Sequence, residues 1–241
     1  IDAATSMELY EAFHMLQEDD SLTIGIVTGA GDRCFSAGWD LKAVADAESL
    51  EDIDVDESPG GFAGLTENWE LQKPVIGAIN GMAIGGGFEL ALSTDIIIAV
   101  DWAEFWLPEM ERGFLASAGA IQRLPRSIPY DVAMDLFLTG RHMSAQEAKH
   151  WGLVRDVVSS ENLMDHCREL ADQLSEGAPL ALQAMKAIMP AIMTLPLPEA
   201  MRKTKIGNSG VPIYEKMMNS EDALEGPRAF AEKRAPDWKG K

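Results

Sequence analysis

The chain has 241 residues, 46% of them hydrophobic, with 39 acidic against 20 basic side chains and a formal net charge of -19. That apolar content excludes a disordered polyanion, and the length fits one main domain with at most a terminal appendage. The first 200 residues carry eleven Lys/Arg against thirty-three Asp/Glu and the last 41 carry nine against six, so an acidic body precedes a net-basic tail. An acidic surface repels phosphate backbones and anionic lipid, so neither nucleic acid nor membrane is an expected partner; an anionic small ligand would look to the tail.

Thr5-Ser6-Met7-Glu8 fits a capping box, and Leu9, Phe13 and Leu16 follow at helical spacing, so a helix is expected from residue 5 to about 19. Leu22 to Thr28 reads as a buried strand, as do Pro74 to Ile79, Asp95 to Val100 and Leu153 to Val158. Helical patterns lie between them at Phe88 to Ser93, Asp131 to Leu138 and Ser144 to Trp151, the last with a capping box of Ser144 and Glu147 and a stop at Gly152. This alternation predicts an α/β fold. Beyond Val158 only helical stretches follow, at about 161 to 175, 179 to 193, 198 to 206 and 221 to 233. Residues 40 to 57, with eight acidic side chains and Lys42 as their one cation, read as an exposed, mobile loop.

Only two cysteines occur, Cys34 and Cys167, at no metal or disulfide spacing, which points to a reducing compartment and hence the cytoplasm. The uncharged run from Pro74 to Phe88 has fifteen residues and is too short to span a bilayer. Ile1-Asp2-Ala3 has neither Met nor a basic-then-apolar leader and reads as a trimmed start.

Several motifs fail on inspection. Thr28-Gly29-Ala30-Gly31 follows a strand, but Cys34 occupies the third glycine position of a dinucleotide fingerprint. His14, His142, His150 and His166 lack metal-site spacing and read as surface or helix-packing residues.

Two glycine-bearing segments carry more. Cys34 to Leu41 is a small-residue turn before a helix start, and Asn80 to Leu90 is a strand exit, three glycines and a helix. Amides at a helix start attract oxyanions, and glycine lets a ligand approach the backbone; the same glycines could simply make a tight turn. Glu89 lies among Phe88, Leu90 and Leu92, and Glu109 follows Leu107-Pro108. A carboxylate in apolar surroundings gains a raised pKa and can exchange protons near neutrality. The plainer alternatives are a dipole-favoured helix residue for Glu89 and a solvated loop acid for Glu109.

Phe35 to Lys42, Asn80 to Ala91 and Leu107-Pro108-Glu109, in that order, resemble the crotonase (enoyl-CoA hydratase/isomerase) superfamily, supported by Leu138 to Arg141, Ala148 to Val158 and the tail from Ser220 to Arg234. Trp39, the segment Pro59 to Glu67, Gly87-Phe88-Glu89 and Asp237 to Gly240 resemble most the members that interconvert crotonobetainyl-CoA and carnitinyl-CoA. The resemblance implies a spiral of ββα units, with the core and active site in residues 1-175 and a helical, trimer-forming region in 176-241.

It further implies a hydro-lyase with no cofactor beyond the coenzyme A of its substrate, assembled as a homotrimer or a dimer of trimers. Backbone N–H groups of Ala37 and Gly86 would form an oxyanion hole, with Glu89 activating water and Glu109 handling the proton at C2. Gly38, Trp39, Asp40, Leu41, Gly85 and Pro108 would line the acyl-CoA site, and Phe230 and Lys233 would approach the adenine and phosphates of CoA held by a neighbouring subunit. A trimethylammonium acyl group would want aromatic faces. Trp39, Trp69, Phe88 and Trp106 are candidates, although each can equally be a core aromatic, Trp69 above all because it stands at helical spacing from Leu65.

Three departures stand out. The chain opens where the family's first helix begins, so the preceding strands are expected to lie outside these residues. Gly113 to Gln122 lacks the family's Pro and Gly-Gly pair, and bulky Trp106 stands where a small residue is usual, so the acyl-pocket wall is expected to differ. The alternative readings are a general short-chain enoyl-CoA hydratase of fatty acid breakdown and a non-catalytic RNA-binding relative. The acidic body and the paired glutamates speak against the last.

Overall fold

The computed structural model describes residues 1–40 and 58–241. Leu41, Lys42 and most of the acidic 40 to 57 segment lie outside the described residues.

Helix α1 (Ala3–Glu18) begins two residues before the expected start, because Asp2 caps it by accepting the Thr5 N–H at 2.8 Å. The Thr5 to Glu8 capping box is therefore corrected: an aspartate at the cap position satisfies the same orphan amides first. Two sheets follow. One is fully parallel, in the order β1 (Gly25–Thr28), β3 (Val75–Ile79), β5 (Ile96–Val100), β8 (Asp156–Val158). The other runs β2 (Cys34–Ser36), β4 (Met82–Ile84), β6 (Glu104–Trp106), β7 (Met143–Ser144), parallel except for the antiparallel β6–β7 pair. The chain visits them alternately from β1 to β6, then adds β7 to the second sheet before β8 returns to the first. Each turn of the spiral thus adds one strand to each sheet, and α2 (Gly86–Leu92) packs after the second turn.

The inner strands β3 and β5 were legible because parallel strands buried on both faces read as continuous apolar runs; all five residues of β3 are buried. The reading of Leu22 to Thr28 as a buried strand is corrected: β1 covers only Gly25–Thr28 and, at the sheet edge like β8, is half-buried with Thr28 exposed. The strands of the second sheet have two or three residues each, too few for any period to show. Helices α3 (Ala120–Ser127), α4 (Tyr130–Thr139) and α5 (Ala145–His150) complete the third turn. Ser144 caps α5 by accepting the Glu147 N–H, but the Glu147 carboxylate is taken by Arg141 instead of returning to the cap, so only half of that box forms.

From α6 (Leu163–Ser175) onward the described chain is helical: α7 (Pro179–Ile192), α8 (Leu197–Lys203), α9 (Pro212–Met218) and α10 (Asp222–Glu232). Lys186 of α7 joins this region to the sheet core through Asp95 Oδ2 at 2.7 Å and the Lys73 carbonyl at 3.0 Å. The central core holds Ile76, Ile79, Ile98 and Leu124, with Phe88 and Phe105 packed at a centroid distance of 5.2 Å. Phe105 is fully buried, so Phe105→Ala is expected to cost about 3–5 kcal/mol, read from the urea midpoint at unchanged slope.

Candidate active site

Parallel register builds the site. Met82 and Ala83 of β4 pair with Cys34 and Ser36 of β2, and Ile84 pairs with Trp106 of β6. Three neighbouring strands therefore release the chain at one edge, as Ala37-Gly38, Gly85-Gly86 and Leu107-Pro108-Glu109. Carboxyl ends of parallel strands are where open α/β sheets commonly bind ligands.

The approach of these turns is close. Gly38 has φ +81°, and a β carbon there would stand 2.8 Å from the Gly86 nitrogen. Gly85 has φ +53°, and a β carbon there would stand 2.6 Å from Glu109 Oε1. A side chain at either position would both strain the backbone and separate the turns. The Phe62 ring lies against Gly86 and 6.0 Å from that of Trp39, which is half-buried. Ala37 and Asp40 are exposed and Pro108 is buried; the Asp40 N–H donates to the Ile1 carbonyl at 3.0 Å.

Both glutamates are buried, Glu89 at 4% exposure and Glu109 at 8%. The solvated-loop reading of Glu109 therefore does not hold. Glu89 Oε1 accepts the Ala120 N–H at 3.0 Å. Burial pushes the Glu89 carboxyl up to about 7, and the nearby Glu109 charge adds to this, while the Ala120 and Ala118 amides and Arg123 oppose it. Burial also raises Glu109, against its own backbone N–H and Arg112. Glu109 Oε2 has no hydrogen-bond partner, a state that among the buried side-chain atoms of the described residues it shares only with Thr66 Oγ1. Two buried carboxyls, with one oxygen unengaged, can hold and pass a proton near neutral pH.

The aromatic candidates separate. Phe88 is fully buried against Phe105 and belongs to the core. Trp106 stacks on His142 at 4.0 Å, and His142 meets Glu104 at 3.0 Å. Trp69 overturns its reading as a packed helical residue: it is 76% exposed, outside any helix, with the Arg123 guanidinium 5.8 Å from its ring centre.

Phe230 and Lys233 stand at the end of α10, Lys233 as its left-handed C-cap at φ +54°. Phe230 is 87% exposed, and neither residue makes a hydrogen bond or ion pair with Gly38, Glu89 or Glu109. Part of the tail's basic charge is met within the tail, where Arg234 pairs with Glu225 and Glu232 and Lys239 with Asp237. No group of three or more His, Cys, Asp or Glu among the described residues could hold a metal ion, and no described helix is long and apolar enough to cross a membrane. The sequence reading missed Ala120, Phe62 and Arg123, whose contributions are a backbone amide, a ring face and a charge set by distant segments.

A glycine-lined turn at the carboxyl ends of parallel strands, flanked by two buried glutamates, sits in a spiral whose whole length, residues 1–241, matches the enoyl-CoA hydratase/isomerase family; the chain belongs to that family. Among its relatives, the carnitinyl-CoA dehydratase of Proteus mirabilis strain HI4320 is 52% identical over 242 residues, covering 100% of this chain and 90% of the relative. That of Citrobacter koseri is 49% identical, with the same coverage. Among solved structures, enoyl-CoA hydratase EchA1 from Mycobacterium marinum superposes with a TM-score of 0.87 at 39% identity, covering 100% of this chain and 90% of that one. An enoyl-CoA hydratase from Bacillus anthracis gives 0.87 at 34% identity and the same coverage, so the fold is the α/β crotonase fold.

A buried acid with a raised pKa couples the site to stability. Glu89 binds its proton more tightly folded (about 7) than unfolded (4.5), so the stability this contributes is full below pH 4.5 and lost as pH rises to about 7. Glu89→Gln, still able to accept from Ala120, is expected to be more stable than the parent at pH 8, on the order of 3 kcal/mol, with the difference closing at low pH in denaturant titrations.

Proposed function

We propose that this protein reversibly hydrates an α,β-unsaturated acyl-CoA, with crotonobetainyl-CoA and carnitinyl-CoA as the preferred pair. The observation that carries the reaction class is the pair of buried glutamates beside the Gly38 and Gly86 backbone, with Glu109 Oε2 unengaged. The substrate choice is supported by relatives of about half identity over the full chain that bear the name carnitinyl-CoA dehydratase.

In the hydration direction, ionised Glu89 accepts a proton from water as the water oxygen bonds to C3. The π electrons of the double bond move toward C2 and the carbonyl, giving an enolate whose oxygen accepts N–H bonds from Ala37 and Gly86. Protonated Glu109 then gives its proton to C2. Dehydration reverses each transfer, and neither direction exchanges a net proton with solvent. Loss of one oxyanion donor typically costs about 10² to 10³ in rate.

Gly38, Trp39, Asp40, Gly85 and Pro108 line the acyl-CoA site in this reading. Exposed Met185, Met189, Met193 and Leu197 on and after α7 support assembly through the C-terminal helices, into a homotrimer or a dimer of trimers in this reading. In that assembly Phe230 and Lys233 meet CoA of a neighbouring subunit, and the enzyme works in the cytoplasm.

Glu109→Gln is expected to lower hydration by about 10² to 10⁴ with KM little changed; near-parental turnover would refute the mechanism. A higher kcat/KM for crotonyl-CoA than for crotonobetainyl-CoA would refute the carnitine assignment in favour of a general short-chain hydratase. Because the active form of the pair holds one proton, kcat/KM should be bell-shaped, falling on the alkaline side from about pH 7, with the same profile in both directions. Lys233→Glu should raise KM for CoA substrates more than it lowers kcat.

A further inference from the structure

Two partly buried cations have carboxylate partners. Lys186 meets Asp95, and Arg141 meets Asp135 and Glu147. Arg123 of α3 has none within contact distance among the described residues, a state it shares with buried Lys73, whose Nζ donates to the Asp19 carbonyl at 2.8 Å. Arg123 is half-buried. Its Nη2 donates to the Thr66 carbonyl at 2.6 Å, and its guanidinium lies 5.8 Å from the centre of the Trp69 ring. Burying a cation without a contact carboxylate is costly, so such a residue needs a reason in its surroundings.

Three contacts supply the reason. The guanidinium folds back over the start of its own helix: a β carbon on Gly119, whose φ is +125°, would stand 2.1 Å from Arg123 Nη1. The next residue, Ala120, gives its N–H to Glu89 Oε1. Through Thr66 and Trp69 the same guanidinium grips the segment whose Phe62 covers Gly86. One side chain therefore ties the start of α3 to the glycine turn and lies next to the amide that holds Glu89.

We propose that Arg123 is a positioning residue for Glu89: it locks the start of α3 onto the segment from Ser58 to Trp69, keeps the Ala120 amide on Glu89 Oε1, and stations a positive charge beside that carboxylate. The proposal rests on the reading of Glu89 as the water-activating group. The charged groups acting on Glu89 are Glu109, from the turn after β6, and Arg123 itself; the amides of Ala118 and Ala120 act in the same direction as Arg123. Arg123 in turn feels Glu89 and Glu67. Its charge favours ionised Glu89, so its removal must make Glu89 hold its proton to higher pH.

The test compares pH profiles of kcat/KM for hydration of crotonobetainyl-CoA by the full chain and its Arg123→Gln, Arg123→Lys, Arg126→Gln and Glu89→Gln variants, using crotonyl-CoA should that prove the better substrate. Arg123→Gln is expected to move the alkaline limb up by about half a pH unit or more and to lower kcat about tenfold, with KM within twofold. Arg123→Lys keeps the charge but not the fork that spans Thr66 and Trp69. It should leave the limb in place while kcat falls several-fold, and it serves as the working variant if the Gln form does not fold. Arg126→Gln removes an exposed charge from the same helix and should change neither quantity.

An unmoved limb in Arg123→Gln, a parental kcat in Arg123→Lys, or an equal shift in Arg126→Gln would overturn the proposal. Glu89→Gln separates the two failures. If it is inactive while the Arg123 variants behave as the parent, only the positioning role is lost; if it stays active, the reading of Glu89 falls and the proposal with it.

Discussion

Everything in the candidate site depends on strands β2, β4 and β6 running parallel and ending together. Antiparallel neighbours would send alternate turns to opposite edges, and Gly38, Gly85 and Glu109 would never meet. The spiral supplies this by returning each turn to the same side of the sheet. The first sheet, with its wholly buried β3, provides the apolar mass that holds the short strands of the second in register.

Burial then turns geometry into chemistry. A carboxylate loses much of its hydration in this setting, and the compensation offered to Glu89 is limited to two amides and a cation out of contact range. The result is an acid held near neutrality instead of a permanently ionised one. Glu109 sits in the same apolar enclosure with one oxygen left without a partner, so the pair has room for a proton to change hands. The arrangement opposes stability and favours reactivity, as is common where titratable groups are kept from water for a purpose.

How much was legible varied with the length scale of the signal. The long apolar runs of β3 and β5 and the helices α4 to α7 announced themselves by period and punctuation. The short strands of the second sheet did not, because a three-residue strand such as β4 has no period and its existence depends on neighbours already in place. Helix α1 starts ahead of the Thr5 to Glu8 capping box because the Asp2 side chain accepts the Thr5 N–H, a choice fixed by the backbone path. Trp69 fell at helical spacing from Leu65, yet the glycines of the segment break the helix, and Ala63 itself adopts φ +54°. Within the site, the motif residues stood out, whereas Ala120 and Arg123 left no local signal.

The sequence by itself determined the fold class, the alternation of strands and helices, the glycine turns and the candidacy of Glu89 and Glu109, because periodicity, capping residues and glycine runs are local properties of the chain. Only the tertiary structure decided that Glu109 is buried and not a solvated loop acid, that Phe88 is core while Trp69 is exposed, and that Arg123 lies beside the amide holding Glu89. Hydration, charge and proton affinity are fixed by what surrounds a group in space, and those surroundings come from segments far apart in sequence that meet only when the strands align.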